Sequence, residues 1–255
     1  EEVGAGEGPE LDIATDPLEG TTLAAKAKGN ALSVAAFAPR GGLLHAPDVY
    51  MDKIAIGPGY ENGIIDLDRG ADENVVALAR AKGVKPEAIG VCVLDRPRHA
   101  GTIEKLRDVG ARVHLIGDGD IFGAIATAWP DAGVDVLFGI GGTPEGVVAA
   151  AALKCMGGEI QAQLWPRNEQ ERDASLAAGY DLDAVLTTDD LVRGDNAFFA
   201  ATGVTDGELL RGVRFSPRGA STQSLVMRSR SGTVRLVEAL HRLDKLASFA
   251  AIDYK

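Results

Sequence analysis

The chain has 255 residues, of which 45% are hydrophobic and 25% charged, and its formal net charge is −11. These proportions are typical of a globular protein with a sizeable core, and the acidic balance argues against a nucleic-acid-binding protein, which usually presents a basic face. Every apolar run falls short of the roughly eighteen residues of a membrane span, so neither nucleic acid nor a membrane is expected as a partner.

The cysteines and the first residues bear on the setting in which the protein works. Cys92 and Cys155 lie in apolar stretches and share no motif, which favours buried thiols in a reducing compartment over a disulfide. A cytoplasmic location is therefore expected. The opening residues, "EEVGAGEGPE", carry no signal-peptide pattern and begin abruptly, which predicts a further segment upstream.

Residues 1–70 are predicted to form part of a first α+β subdomain, which the upstream segment would complete. The stretch "IATDPLEGTT", residues 13–22, begins like a strand and runs into a turn with two carboxylates. Residues 33–37, "SVAAF", and 43–49, "LLHAPDV", are typical of antiparallel strands joined by the turn "APRGG".

Residues 71–255 are predicted to form an α/β subdomain that ends in a hairpin. Residues 88–94, "AIGVCVL", are typical of a buried strand, and segments with helical spacing lie on either side of them. Strands and helices alternate from there through "TPEGVVAAAALKCMGG", which predicts a parallel sheet covered by helices. Near the C-terminus, two stretches of period two flank Ser231 and Gly232 and predict the hairpin.

Polar clusters follow three consecutive strands of the predicted parallel sheet. They are "DRPRH" (residues 95–99), "GDGD" (117–120) and "GIGGTPEG" (139–146). Each also has an ordinary explanation: solvated arginines, turn-forming aspartates, and a glutamate that the helix dipole favours. Since ligands of open parallel sheets bind beyond the carboxyl ends of the strands, three such clusters in succession favour a binding site.

The cluster "DPLEGTT", residues 16–22, predicts more specific chemistry. Two carboxylates supply the hard oxygen ligands that Mg²⁺ and Mn²⁺ prefer, and glycine followed by threonine brings backbone and hydroxyl groups close to an anion. Metal-assisted attack on a phosphate ester needs these parts. The ordinary alternative is a capped turn with two surface acids.

The motifs in their order resemble a known family. The pattern D-P-[ILV]-[DE]-G-[ST] is typical of the lithium-sensitive, metal-dependent sugar and inositol phosphatases. With "YMDK", "DRPRH", "GDGD", "GGTPEG" and "PRNEQER" following in that order, the chain closely resembles the bacterial class II fructose-1,6-bisphosphatases of the glycerol-operon type over essentially its whole length. The resemblance implies a layered α-β-α-β-α sugar-phosphatase fold, with a mixed first sheet and a largely parallel second sheet.

The resemblance also implies a reaction, namely the hydrolysis of fructose 1,6-bisphosphate to fructose 6-phosphate and phosphate in gluconeogenesis. It implies Mg²⁺ or Mn²⁺ as the cofactor and a cytoplasmic dimer or tetramer. A sedoheptulose-1,7-bisphosphatase or a dual bisphosphatase is the alternative within the same chemistry. An inositol monophosphatase is less favoured, because the arginine-rich and lysine-bearing segments indicate two phosphates. A catalytically silent sugar-phosphate sensor is the alternative of another class.

The family's functional residues carry over to matching positions of this chain. The resemblance implies Asp16, Glu19 and Glu145 as metal ligands and Thr21 as the hydroxyl that positions the attacking water. The predicted substrate-binding residues are Glu19, Gly20, Thr21, Tyr50, Lys53, Arg96, Pro97, Arg98, Asp118, Gly119, Asp120 and Gly142.

Chemistry divides these substrate-binding residues into groups. Arg96 and Arg98 suit the phosphate that is retained, since a guanidinium group binds two oxygens at once. Asp118 and Asp120 suit sugar hydroxyls, and Lys53 is a further phosphate candidate. The family has additional metal-binding acids upstream of the hallmark motif, and residues 1–12 do not contain them.

Overall fold

The computed structural model describes residues 6–45, 47–217 and 219–246. Its first elements are β1 (Leu11–Glu19), α1 (Thr21–Ala25), β2 (Leu32–Pro39), β3 (Tyr50–Ile56), α2 (Ala71–Lys82), β4 (Gly90–Leu94), α3 (Ala100–Asp108), β5 (Arg112–Ile116), α4 (Asp120–Ala128), β6 (Val136–Gly142) and α5 (Thr143–Met156). They are followed by β7 (Glu159–Trp165), α6 (Glu169–Ala177), β8 (Leu186–Thr187), α7 (Thr188–Leu191), β9 (Phe198–Gly203), β10 (Arg214–Ser216), β11 (Gly219–Arg228), β12 (Thr233–His241) and α8 (Leu243–Leu246).

The strands form two six-stranded sheets, and the predicted layered α/β class is confirmed. The first sheet has the order β1-β2-β9-β11-β10, with β12 paired to β11, and the second has the order β5-β4-β6-β3-β7-β8. In the second sheet β4 is parallel to β5 and β6, whereas β3 is antiparallel to both of its neighbours and β8 is antiparallel to β7. This sheet is therefore mixed rather than largely parallel as expected, because β3 from the first part of the chain is inserted between β6 and β7.

Strand directions in the first sheet are more uniform than the expected mixture, since every pair there is antiparallel. The physical reason lies in the connections. A parallel neighbour needs a crossover, usually a helix, within the same sheet. Here β11 and β12 are joined by a short turn, β1 and β2 by residues 20–31 with the one-turn helix α1, which does not cross the sheet, and the chain between β2 and β9 builds the second sheet instead.

Two helices lie between the sheets, and two more cover the far side of the second sheet. One buried cluster joins the inner face of the first sheet, α4, α5 and one face of the second sheet. Four consecutive alanines of α5, Ala149 to Ala152, are buried there, and their small side chains let a helix lie between two sheets. A second cluster joins the opposite face of the second sheet to α2 and α3.

Of three local predictions, two are confirmed and one is wrong. The predicted strand at 33–37 lies within β2, but the strand predicted at 43–49 is wrong, because the described residues of that segment contribute a single bridge, from Leu43 to Val192. Proline at position 47 lacks the N–H that a paired strand needs. The predicted C-terminal hairpin is confirmed as β11 and β12, whose turn includes Gly232 at φ 56°.

Sheet membership does not follow the order of the chain. The early strand β3 lies in the second sheet, whereas β9 to β12 return to the first. The division into residues 1–70 and 71–255 stays a prediction about folding units. No helix in the described part of the chain is both long and apolar enough to cross a membrane.

One edge of the second sheet collects the ends of several strands. The parallel strands β4, β5 and β6 end there, and β7 ends there as well because it runs antiparallel to β3, as β6 does. The end of β1 reaches the same edge from the first sheet, since the N–H of Ile121 in α4 donates to Glu19. This edge therefore holds the sequence motifs described above.

Candidate active site

The hallmark motif lies in a β-bulge at the end of β1. Pairing with β2 passes from Asp16–Val34 to Glu19–Leu32, so β1 advances three residues where β2 advances two. Pro17 has no N–H to contribute to the ladder, and the N–H of Leu18 donates to Oδ1 of Asp16 at 2.9 Å. Bulges change the direction in which side chains point, and here Glu19 is buried.

Gly20 and Thr21 carry the chain from the bulge into α1. Gly20 has φ 79°, and a Cβ atom there would lie 2.9 Å from Cδ1 of Leu23, so the position requires glycine. Thr21 follows with an exposed side chain. The N–H of Thr22 donates to Oδ2 of Asp118 at 3.1 Å, which ties α1 to the turn after β5.

Glu19 points towards the N-terminus of α4. Its Oε1 accepts the N–H of Ile121 at 2.9 Å. Burial, followed by the negative charge of Asp120 and the proximity of Asp16, raises the pKa of Glu19 to about 9. This region therefore holds more carboxylate groups than its own cations neutralise.

Lys53 is the cation within this acidic region. Its side chain is 2% exposed, and Nζ lies 2.5 Å from Oδ2 of Asp120 and 3.5 Å from the carbonyl oxygen of Gly142. A Cβ atom at Gly141 would lie 2.5 Å from Oδ2 of Asp120 and 3.1 Å from Nζ of Lys53. The ion pair thus packs directly against the glycine backbone at the end of β6.

Glu145 presents a buried carboxylate oxygen to the same region. Among the described residues, its Oε2 is the buried side-chain oxygen or nitrogen that has no hydrogen-bond partner. Oε2 lies so close to Gly142 that a Cβ atom there would collide with it. Burial above all, together with the charges of Asp120 and Asp16, raises the pKa of Glu145.

These groups fit part of a divalent-cation site. A buried, unpaired carboxylate oxygen is costly unless a cation or donor meets it, and hard oxygens are the ligands of Mg²⁺ and Mn²⁺. Within residues 6–45, 47–217 and 219–246, no three His, Cys, Asp or Glu side chains are grouped closely enough to hold a metal ion. Asp16, Glu19 and Glu145 can therefore contribute ligands, but they do not by themselves form a closed cage.

The two predicted arginines have different surroundings. Arg96 donates from Nη1 to the carbonyl oxygen of Asp95, and its Nη2 lies 4.0 Å from Oδ1 of Asp118. Arg98 donates from Nε and Nη2 to the carbonyl oxygen of Ile140, at 3.0 and 2.6 Å. Arg96 is thus the more available for an anion, while Arg98 is partly engaged by the backbone.

Tyr50 is the centre of a cationic aromatic cluster. The guanidinium carbons of Arg98 and Arg167 lie 4.9 and 4.7 Å from the centre of its ring. Trp165 stacks beside it with a centroid separation of 6.4 Å and an interplanar angle of 19°. Arg167 and Trp165 are not among the residues predicted for the site. Their signal in the sequence is the motif "PRNEQER", which follows directly after the tryptophan that ends β7.

The structure therefore sorts the predicted residues into three neighbourhoods. The acidic one contains Asp16, Glu19, Asp120 and Glu145 around Lys53, and the aromatic one contains Tyr50 and Arg98. The third contains Arg96, Pro97, Asp118 and Gly119, which lie on the turns after β4 and β5. Gly119, at φ 89°, is the N-cap of α4, and Gly142 is the N-cap of α5.

Comparison with known proteins gives a family for the whole arrangement. A family model described as bacterial fructose-1,6-bisphosphatase, glpX-encoded, matches residues 1–241. Three curated relatives are similar over nearly all of this chain. They are the fructose-1,6-bisphosphatase class 2 of Haemophilus influenzae (41% identity over 259 residues, 96% of this chain and 78% of the relative) and two Escherichia coli K12 proteins.

The two Escherichia coli proteins are similar to this chain to nearly the same extent. Fructose-1,6-bisphosphatase 2 class 2 is 41% identical over 254 residues, which is 94% of this chain and 79% of the relative. Fructose-1,6-bisphosphatase 1 class 2 is 40% identical over 258 residues, which is 96% of this chain and 76% of the relative. The resemblance that the ordered motifs indicate is confirmed by these matches.

Proposed function

Since the chain belongs to the family of glpX-encoded bacterial fructose-1,6-bisphosphatases, we propose that it is a phosphatase that hydrolyses fructose 1,6-bisphosphate to fructose 6-phosphate and phosphate. The observation that carries the proposal at the level of the site is the buried, unpaired Oε2 of Glu145. This oxygen lies in a carboxylate-rich region next to a motif that ends in an exposed hydroxyl.

The proposed cofactor is Mg²⁺ or Mn²⁺. Asp16, Glu19 and Glu145 would hold the cation, because their oxygens are hard ligands and burial leaves Glu19 and Glu145 short of positive charge. A cation bound there supplies Lewis-acid polarisation of the phosphate ester. Lys53 neutralises Asp120 in the same region and so leaves the other carboxylates to the cation.

The proposed role of Thr21 is to position the attacking water. Its side chain is exposed at the start of α1, one residue beyond the glycine that ends the bulge. In the reaction, the water oxygen bonds to phosphorus and gives up a proton, the bond from phosphorus to the sugar oxygen breaks, and that oxygen leaves as a hydroxyl that has taken up one proton, so that the two proton transfers balance. A hydroxyl that accepts or donates a hydrogen bond to the water fixes its line of approach.

The remaining groups are proposed to hold the sugar bisphosphate. Arg96 and Arg98 supply guanidinium donors for the retained phosphate, and Asp118 accepts from sugar hydroxyls. Tyr50 and the glycine-rich backbone at Gly142 line the site. Lys53 has three donors, and the bonds to Asp120 and to the Gly142 carbonyl use two of them, so one is left for substrate.

The wider setting is proposed from the family as well. We expect a gluconeogenic enzyme of the cytoplasm, linked to glycerol metabolism, inhibited by lithium, and assembled as a dimer or tetramer. Size-exclusion chromatography with light scattering measures the assembly, and inhibition of phosphate release by LiCl measures the lithium sensitivity.

A phosphate-release assay tests the proposed function. The protein is supplied with fructose 1,6-bisphosphate, sedoheptulose 1,7-bisphosphate or inositol 1-phosphate, with Mg²⁺, with Mn²⁺, or with a chelator. We expect release from fructose 1,6-bisphosphate that stops in the chelator and returns with metal. Undiminished hydrolysis in the chelator would remove Asp16, Glu19 and Glu145 as metal ligands, and preference for another substrate would replace the proposed one.

Substitution of Thr21 tests its role, with its neighbour as the matched control. Thr21→Ala is expected to lower kcat by roughly 100-fold or more, the loss typical of a reactant that is no longer held in line. Thr22→Ala keeps the main-chain N–H that bonds to Asp118 and is expected to stay close to wild type. Equal activity of the two variants would rule out Thr21 as the water-positioning group.

A further inference from the structure

Two consecutive side chains hold the main chain of a single residue at the edge of the site. The N–H of Ile140 donates to Nε2 of His99 at 2.8 Å, and the carbonyl oxygen of Ile140 accepts from Nε and Nη2 of Arg98. His99 is 2% exposed, and its Nδ1 lies 2.7 Å from the carbonyl oxygen of Leu94. Both polar groups of Ile140 are thus bonded to the loop that follows β4.

These partners determine the protonation state of the imidazole ring. Nε2 faces an N–H group, so it must be an acceptor, and Nδ1 faces a carbonyl oxygen, so it must carry the proton. Only the neutral ring with hydrogen on Nδ1 satisfies both bonds. A second proton on Nε2 would point at the Ile140 N–H and break that bond.

β3 pairs with β6 on one side as far as Gly142, but on the side that faces β4 the described residues after Phe138 have no strand partner, and there the side chains of Arg98 and His99 take the place of a strand at Ile140. Pairing between β4 and β6 runs from Val91–Val136 to Val93–Phe138, short of the end of β6. Three of the last four residues of β6 are glycine, which has the most backbone freedom and no side chain to anchor it. Yet Gly141 packs against the Lys53–Asp120 pair, and Gly142 packs against the carboxylate of Glu145.

We propose that His99 is a positioning residue which, together with Arg98, holds Ile140 so that the Gly141–Gly142 backbone supports the carboxylates of Asp120 and Glu145. The inference rests on the proposed function of the site. His99 touches no reacting group; it acts through the Ile140 main chain. Turnover then requires the neutral ring that donates from Nδ1.

A pH dependence follows from the surroundings of the ring. The charged groups that face it are Arg98 and Arg96 on its own loop and Lys53 on β3, and the carbonyl of Leu94 accepts from it. Burial, followed by those cations, lowers the pKa of His99, although the Leu94 bond opposes the shift. The neutral ring therefore persists at the ordinary imidazole pKa of about 6.5 and is lost only when the pH falls through the lowered pKa of His99.

Two isosteric substitutions separate the two bonds of the ring. Asparagine places an amide N–H near the position of Nδ1, so His99→Asn keeps the bond to Leu94 and loses the bond to Ile140. Glutamine reaches the position of Nε2 with an oxygen, so His99→Gln keeps the bond to Ile140 and loses the bond to Leu94. Each variant loses one buried hydrogen bond, so their losses of stability are expected to be similar.

The expected results differ between the variants. His99→Asn should lower kcat by roughly 10- to 100-fold and weaken Mn²⁺ binding by a similar factor, as is typical when an outer-shell partner of a metal site is lost. His99→Gln should retain most of both. The wild type should lose kcat as the pH falls through the lowered pKa of His99, and His99→Gln, which has no imidazole to protonate, should remove that loss. Equal kcat of the two variants, or an unchanged pH profile with glutamine, would overturn the proposal.

Hydrogen exchange separates this inference from the proposed function. If the wild-type protein releases no phosphate from fructose 1,6-bisphosphate, the proposed function fails, while amide exchange at 139–143 still tests the support of Ile140. Faster exchange there in the asparagine variant than in the glutamine variant supports it, and equal exchange refutes it. Should the asparagine variant not fold, the pH profiles of the wild type and the glutamine variant decide alone.

Discussion

The buried pair of Lys53 and Asp120 makes a strong prediction about stability. Lys53→Met keeps the length of the side chain and removes its charge. Asp120 is then left without its cation in a region that already contains Glu19 and Glu145. Removing one partner of a buried ion pair typically costs about 3–5 kcal/mol, because the other charge remains desolvated and unpaired.

The structure supports the loss of stability typical of a broken buried ion pair rather than the smaller loss typical of an exposed one. The Lys53 side chain is 2% exposed and that of Asp120 is 11% exposed, so solvent screening is weak. For a chain of this size, 1 kcal/mol shifts the melting temperature by roughly 2–4 °C. The variant is therefore expected to melt about 6–20 °C below the wild type when both are measured in a chelator by circular dichroism.

An exposed ion pair provides the control. Arg40 and Glu10 are paired at 3.2 Å with side chains 64% and 71% exposed. Exposed pairs contribute at most about 1 kcal/mol, so Arg40→Met should shift the melting temperature by no more than a few degrees. A Lys53→Met shift as small as that of Arg40→Met would refute the electrostatic reasoning.

A double-mutant cycle sharpens the test. Asp120→Asn removes the charge that Lys53→Met leaves unpaired, so the double variant should be less destabilised than the sum of the two single variants. Strict additivity would show that the two side chains do not interact in the folded protein, and the 2.5 Å separation of Nζ and Oδ2 would then lack energetic meaning.

Glycine and cysteine positions give two further predictions. Gly142→Ala places a Cβ atom against Oε2 of Glu145 and should abolish phosphate release. Gly101→Ala in α3, where a Cβ atom meets nothing within 4 Å, should keep activity and gain up to about 1 kcal/mol of stability. Equal effects of the two substitutions in activity and thermal-melting assays would contradict the steric argument. Burial raises the pKa of both Cys92 and Cys155 to about 12, so about one thiol in ten thousand is ionised at pH 8, and the cysteines should react with a thiol reagent only after unfolding. Rapid labelling of the native protein at pH 8 would contradict the burial of these thiols.

Local signals in the sequence were sufficient for the middle of the chain. Apolar runs bounded by glycines, and helical spacing after them, determine the alternation from β4 to α5, because strand and helix periods depend on neighbouring residues alone. The parallel direction of β4, β5 and β6 follows from the helices between them. Because these strands are parallel, the polar turns that follow them lie at the same edge of the sheet.

Ordered motifs also determined the family and the identity of the candidate site residues. What they left open was the environment of each side chain. Lys53 and Arg98 were assigned to phosphates from their charge, yet Lys53 is paired with a residue 67 positions away and Arg98 with a carbonyl 42 positions away. Such contacts depend on how sheets and turns come together in space.

The tertiary structure alone decided the remaining features. It inserted β3 antiparallel between β6 and β7, which carries Tyr50 and Lys53 to the strand-end edge. It also placed His99 beneath Ile140. The sequence shows which residues are able to donate, accept or carry charge, but desolvation and partner geometry determine what each one does, and these arise only when distant segments pack together.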